Sequence, residues 1–271
     1  MSSTPQPEAP PLAGLLSKPA LISGAAVGSA ALLAWVWLLS EPMAMAASAG
    51  SSHGAAPGTM AGMAAPADPW SESYLLASFM MWTLMMVAMM LPSAAPMILL
   101  HARIDRSPVL QRTRNNLLFM LSYLAVWTVF SAVAALAQAA LIDGAVLSSM
   151  SLRLGNDLFA AGLLLAASAW QLTGAKRVCL EQCQSPLHFV LRHRGNGAAG
   201  AARLGLRHGL YCLGCCWSLM LLLFVAGVMN LAWVAALAFI VFVEKLVPRR
   251  WRADRWLAGL LAFGALSLLV S

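Results

Sequence analysis

The chain has 271 residues, 61% of them hydrophobic and only 10% charged, with a net charge of +7. Soluble domains carry about a quarter charged residues, so the composition excludes that class and leaves a polytopic membrane protein. The positive charge does not imply a nucleic-acid partner, because the basic residues lie in short loops between apolar runs, where membrane proteins carry their topology signal.

Apolar segments fall at about 20–40, 73–100, 115–141, 157–174, 208–229, 231–247 and 256–271. Most are near the roughly 20 residues a helix needs to cross a bilayer. Backbone polar groups in lipid must be satisfied within the segment, so the spans are helices. The expected fold class is all-α, a polytopic transmembrane helical bundle of about seven spans. If the spans alternate, 16 of the 17 Lys and Arg residues share one side, and only Arg153 falls opposite. The positive-inside rule then puts the N-terminus in the cytoplasm and the chain in the inner (plasma) membrane, with the lipid bilayer as its first partner.

Residues 1–19, "MSSTPQPEAPPLAGLLSKP", read as a disordered cytoplasmic tail. Residues 20–40 read as the first transmembrane helix. Its apolar stretch exceeds the roughly 7–15 residues of a signal-peptide core, so an uncleaved helix is expected, with Trp35 and Trp37 near the outer interface. Residues 41–72 read as a flexible outer loop rich in Gly, Ala, Ser and Pro. It holds Met43, Met45, Met60, Met63 and His53. Thioether and imidazole groups suit soft ions, Cu(I) above all. The same methionines also read as ordinary members of an Ala-rich linker.

The remainder, 73–271, reads as one transmembrane helical domain with metal-binding character. Its first span, "FMMWTLMMVAMMLPSAAPMILL", carries two methionine stripes at helical spacing. Met81, Met85 and Met89 form one, and Met86, Met90 and Met97 form the other. They are either flexible core filling or a thioether path. Pro92 and Pro96 remove two backbone donors and leave carbonyls unpaired near Ala88 and Pro92.

All five cysteines fall in two groups that the predicted topology puts on the cytoplasmic side. In "AKRVCLEQCQSP", Cys179 and Cys183 are i, i+4. In "GLYCLGCCW", Cys215 and Cys216 lie three and four positions after Cys212, so the three thiols share one helix face. Structural disulfides do not suit a reducing compartment. Four or five thiolates suit Cu(I), with zinc or an iron–sulfur cluster as alternatives. His188, His193 and His208 are further candidate ligands nearby, and small apolar packing is the competing explanation of the cysteines. Among polar residues inside spans, Glu244 is expected to pair with Lys245 or an arginine, or to support a metal site from outside its ligand shell. Asn156 and Asp157 read as a helix start.

The segments "MWTLMMVAMMLPSAAPM", "QLTGAKRVCLEQCQSPL" and "GLYCLGCCWSLMLLLFVAGVMNLAWVAALAFIVFVEKLVP" resemble a bacterial family of predicted metal-binding integral membrane proteins. It is a domain-of-unknown-function family, with some members labelled copper chaperones. The resemblance covers about residues 73–250, and it implies metal binding without a mechanism. Three functions follow as expectations: Cu(I) handling, by passive import or by delivery to a copper-accepting membrane or cytoplasmic protein; thiol–disulfide exchange between the two cysteine groups; or assembly with another membrane complex. No phosphate-binding loop accompanies them, so an ATP-driven pump is not expected.

Overall fold

A computed structural model describes residues 18–49, 68–147, 152–193, 195, 197–247 and 251–270. The described residues are helical with no strand, as the composition requires. In chain order the helices are α1 Lys18–Ala49, α2 Glu72–Ile104, α3 Val109–Asp143, α4 Asp157–Leu172, α5 Gly174–Gln184, α6 Pro186–Arg192, α7 Gly197–Leu221, α8 Leu223–Ala226, α9 Leu231–Leu246 and α10 Ala253–Val270. Among the described residues, five spans are long and apolar enough to cross a membrane: α1, α2, α3, α7 with α8, and α10. Leu33, Val36, Val129 and Phe263 are exposed on their outward faces. A bundle dissolved in lipid needs such a surface.

The expected seven spans are present only in a looser form. The segment 157–174 stops at Leu172 and turns by 66° into α5. Thr173 makes that corner: its hydroxyl donates to the Trp170 carbonyl at 2.8 Å and accepts the Lys176 amide at 3.2 Å, capping α5. The pair counts as a sixth span only if taken together. Helix α9 has 16 residues, about 24 Å at 1.5 Å per residue, short of the roughly 30 Å hydrocarbon core. Helix α1 runs on to Ala49, so its backbone includes the first residues of the expected outer loop. The Asn156 side chain accepts the Leu158 amide at 2.8 Å and opens α4 as expected. Asn230 accepts the Trp233 amide at 3.2 Å and opens α9.

Helices α2, α3 and α7 form the centre, with α1 outside α2, α5 against α7, and α10 against α4. Two glycines let α3 and α7 approach backbone to backbone. A methyl at Gly205 would overlap the Phe119 carbonyl, and one at Gly209 would crowd Val126 and the Tyr123 carbonyl. This Gly-x3-Gly spacing is the small-residue contact of membrane helices. Gly205→Leu is therefore expected to separate α3 from α7 and lose the folded protein, checked by monodispersity and thermal melting in micelles. Unchanged melting would contradict the backbone contact.

The prolines act as the sequence requires. The Ala88 carbonyl that Pro92 leaves unpaired accepts the Trp35 indole N–H at 3.1 Å. Half-buried Trp35 thus packs on α2 level with Ala88. Its indole needs a partner, and an orphan carbonyl inside lipid is the strongest acceptor within reach.

Candidate metal centre

Helix α7 carries the three cysteines of C-x2-C-C on its buried face: Cys212, Cys215 and Cys216 are all at most 2% exposed. Helix α5 brings its own pair alongside. Cys183, half-buried, faces Cys212 and Cys215. Cys179 packs into the space left by the missing side chain of Gly214, at the edge of the group. The spacing of each pair places it on one helix face, and the packing of α5 on α7 joins the faces.

Helix α2 contributes sulfur from the other side. Met90 Sδ lies 3.9 Å from Cys216 Sγ. Met81, Met85, Met86, Met89 and Met97 are buried with it, whereas Met80 is half exposed. Both predicted stripes therefore face the bundle interior. His53, Met60 and Met63 lie outside the described residues, and the side chains of Met43 and Met45 do as well.

Cys212 is the hub. Lys245 Nζ donates to Cys212 Sγ at 3.0 Å and to Ser93 Oγ at 2.7 Å. The Ser93 hydroxyl donates in turn to the Met90 carbonyl at 2.8 Å. Tyr123 Oη lies 3.1 Å from that same carbonyl and 3.1 Å from Cys212 Sγ. The Tyr123 hydroxyl donates to that carbonyl beside Ser93 and also touches the sulfur. Cys215 and Cys216 each direct Sγ to the Cys212 carbonyl at 3.0 Å.

A buried ammonium needs a counter-charge. Glu244, beside Lys245 in sequence, is engaged elsewhere: Lys176 Nζ donates to its two carboxylate oxygens at 2.7 and 2.9 Å, with Lys176 fully buried. Glu244 therefore pairs with Lys176, and not with Lys245 or an arginine as its sequence position suggested. The acceptor left to Lys245 that can carry a charge is the Cys212 thiolate.

Lys245, Tyr123 and Ser93 were not among the sequence candidates. Lys245 read as one of the topology-setting cations, and Tyr123 and Ser93 carry no motif. Of the candidate histidines, His208 is buried one turn before Cys212, and His193 Nδ1 lies 3.1 Å from the Phe189 carbonyl. His188 has no described contact with the thiols. Gln138 is absorbed by structure: it accepts the Trp82 indole at 2.9 Å and donates to Tyr74 at 2.8 Å.

Among the described residues no three His, Cys, Asp or Glu side chains stand in a metal-holding geometry. What the fold assembles is a buried sulfur cluster: thiols from α5 and α7, a thioether from α2, and a lysine against the central sulfur. Soft thiolate and thioether donors of this kind select Cu(I) over hard ions. The site and fold define a helical protein, with helices long and apolar enough to cross a membrane, around an interior thiol–thioether cluster. The chain belongs to the PpoB2 family, described as a copper chaperone, whose model matches residues 79–268. That span includes every described cysteine and the whole methionine ladder. No curated protein matches the chain, and no solved structure does.

Proposed function

We propose that this protein handles Cu(I) within the inner membrane, with its N-terminus in the cytoplasm, and delivers the ion to a copper-accepting membrane or cytoplasmic protein. The supporting observation is the convergence of buried Cys212, Cys215, Cys216 and Met90, with half-buried Cys183 facing them from α5. Copper is the cargo here, and it enters as substrate. Met43, Met45, Met60, Met63 and His53 collect it outside. The buried thioethers from Met81 to Met90 lead inward along α2, and the thiolates receive it. Thioethers bind more weakly than thiolates, so the gradient favours transfer toward Cys212. The fixed Lys245–Cys212 pair keeps a thiolate ready, and an arriving Cu(I) replaces one positive charge with another.

The test is Cu(I) titration of detergent-purified protein under anaerobic, reducing conditions. Wild type is expected to bind Cu(I) stoichiometrically. The combined Cys183→Ser, Cys212→Ser, Cys215→Ser and Cys216→Ser variant is expected to bind none at the cluster. Equal binding by both would remove the thiols from the account, and zinc or iron in place of copper would overturn the choice of ion.

A further inference from the structure

A polar cavity of about 350 Å³ opens where α2, α3, α6 and α7 end on the arginine-rich side. His101, Asp105, Arg106, Asn115, Val190 and Leu204 are among its walls. Nothing in the proposed copper route uses it, although a series of stacked rings links its His101 to Tyr123, which touches Cys212.

The protonation pattern of His101 follows from its neighbours. The Asn116 amide nitrogen donates to Ser23 Oγ at 2.6 Å, so the Asn116 oxygen is the atom that faces His101 Nδ1, at 3.1 Å. Nδ1 must therefore carry the proton and donate. Nε2 keeps its lone pair, the arrangement used by metal-ligating histidines. One turn on, Asp105 holds the Ser107 amide at 2.9 Å and the Asn115 amide at 2.8 Å. Burial pushes the Asp105 carboxyl up, but these bonds and the nearby imidazole outweigh it and hold it below the ordinary carboxylate range. The cavity thus keeps an ionised carboxylate one turn from His101, with Arg106 in the same wall.

Three stacked rings fill the way from His101 to the thiols. Phe119 stacks on His101 at 5.1 Å, and on its other side lies His208 at 6.1 Å. His208 in turn stacks on Tyr123 at 5.5 Å. His208 is 3% exposed, and its Nδ1 has no hydrogen-bond partner. It stands four residues before Cys212 on α7, about 6 Å along the helix and on the same face. A buried imidazole nitrogen with no partner, one turn from Cys212, is a ligand position with nothing else to do.

Resting on the copper reading above, we propose that this cavity is the exchange port of the thiol cluster. His101 is its outer ligand, His208 its inner ligand, and the Phe119 ring is the barrier between them. Passage is ligand exchange alone: a Cu–S bond gives way to a Cu–N bond, and no electron moves.

The experiment measures how fast a water-soluble bathocuproine chelator withdraws Cu(I) from the loaded, detergent-purified protein, after equilibrium affinity is established for each variant. His101→Gln is expected to slow withdrawal severalfold with affinity unchanged, since it removes a port ligand and no cluster ligand. Phe119→Leu is expected to speed it, with Phe119→Ala as the stronger version if that variant folds. Normal affinity with unchanged rates in both His101→Gln and Phe119→Leu overturns the port and leaves the copper reading intact. No Cu(I) binding by wild type overturns both.

Discussion

Cys212→Ser is expected to lower Cu(I) affinity more than any other single thiol substitution. Cys212 meets Lys245, Tyr123 and Cys183, whereas Cys179 sits at the rim against Gly214. Removing a group that only supports a ligand costs about 10–100-fold in metal affinity. Losing the central ligand should exceed that, and Cys179→Ser should fall within or below it. Competition titration against a chelator of known Cu(I) affinity checks the order. Equal losses at Cys212 and Cys179 would show that the hub geometry does not govern binding. The serine hydroxyl still accepts from Lys245 but cannot carry its counter-charge, so thermal melting of the variant is measured alongside the affinity.

Breaking the Lys176–Glu244 pair has the second large effect, this time on stability. Both side chains are buried, at 0% and 5% exposure, and the pair joins α5 to α9. Gln184 reinforces the same junction by donating to the carbonyls of Glu244 and Val247 at 2.8 and 3.0 Å. Glu244→Leu alone leaves an uncompensated buried ammonium and is expected to cost about 3–5 kcal/mol. Lys176→Met with Glu244→Leu removes both charges and is expected to recover most of that, since apolar replacement of a buried pair is often neutral or better. Unfolding of the micellar protein measures both. If the double variant is as unstable as the single, the loss is one of packing and not of charge. The single variant should also weaken Cu(I) binding, because α5 carries Cys183 and α9 carries Lys245.

Local spacing made much of the site legible. C-x2-C-C and C-x3-C each place thiols on one helix face, and the methionine stripes of α2 mark the face that the bundle buries. Pro92 announced an orphan carbonyl at Ala88. What supplied its partner is tertiary: Trp35 lies on another helix, and nothing in its local pattern separates a belt tryptophan from one that repairs a kink. Lys245 was hidden for a similar reason. A lysine beside arginines at a helix end reads as a topology signal, and only the packing of α9 on α2 turns it toward Ser93 and Cys212. The span count failed at Thr173, because hydropathy follows apolar length and does not register a 66° corner. The Gly205-x3-Gly209 spacing was present in the chain and is the signal that could have placed α7 against α3, and with it Tyr123 and His208 against the thiols.

The central claim is that copper rests on sulfur inside the bundle. X-ray absorption at the copper edge of the Cu(I)-loaded protein tests it most directly. The account predicts a Cu(I) ion in a sulfur-only shell for wild type, and loss of that shell in Cys212→Ser with Cys216→Ser. A shell of nitrogen or oxygen in the wild-type protein, or a sulfur shell that survives both substitutions, would contradict it.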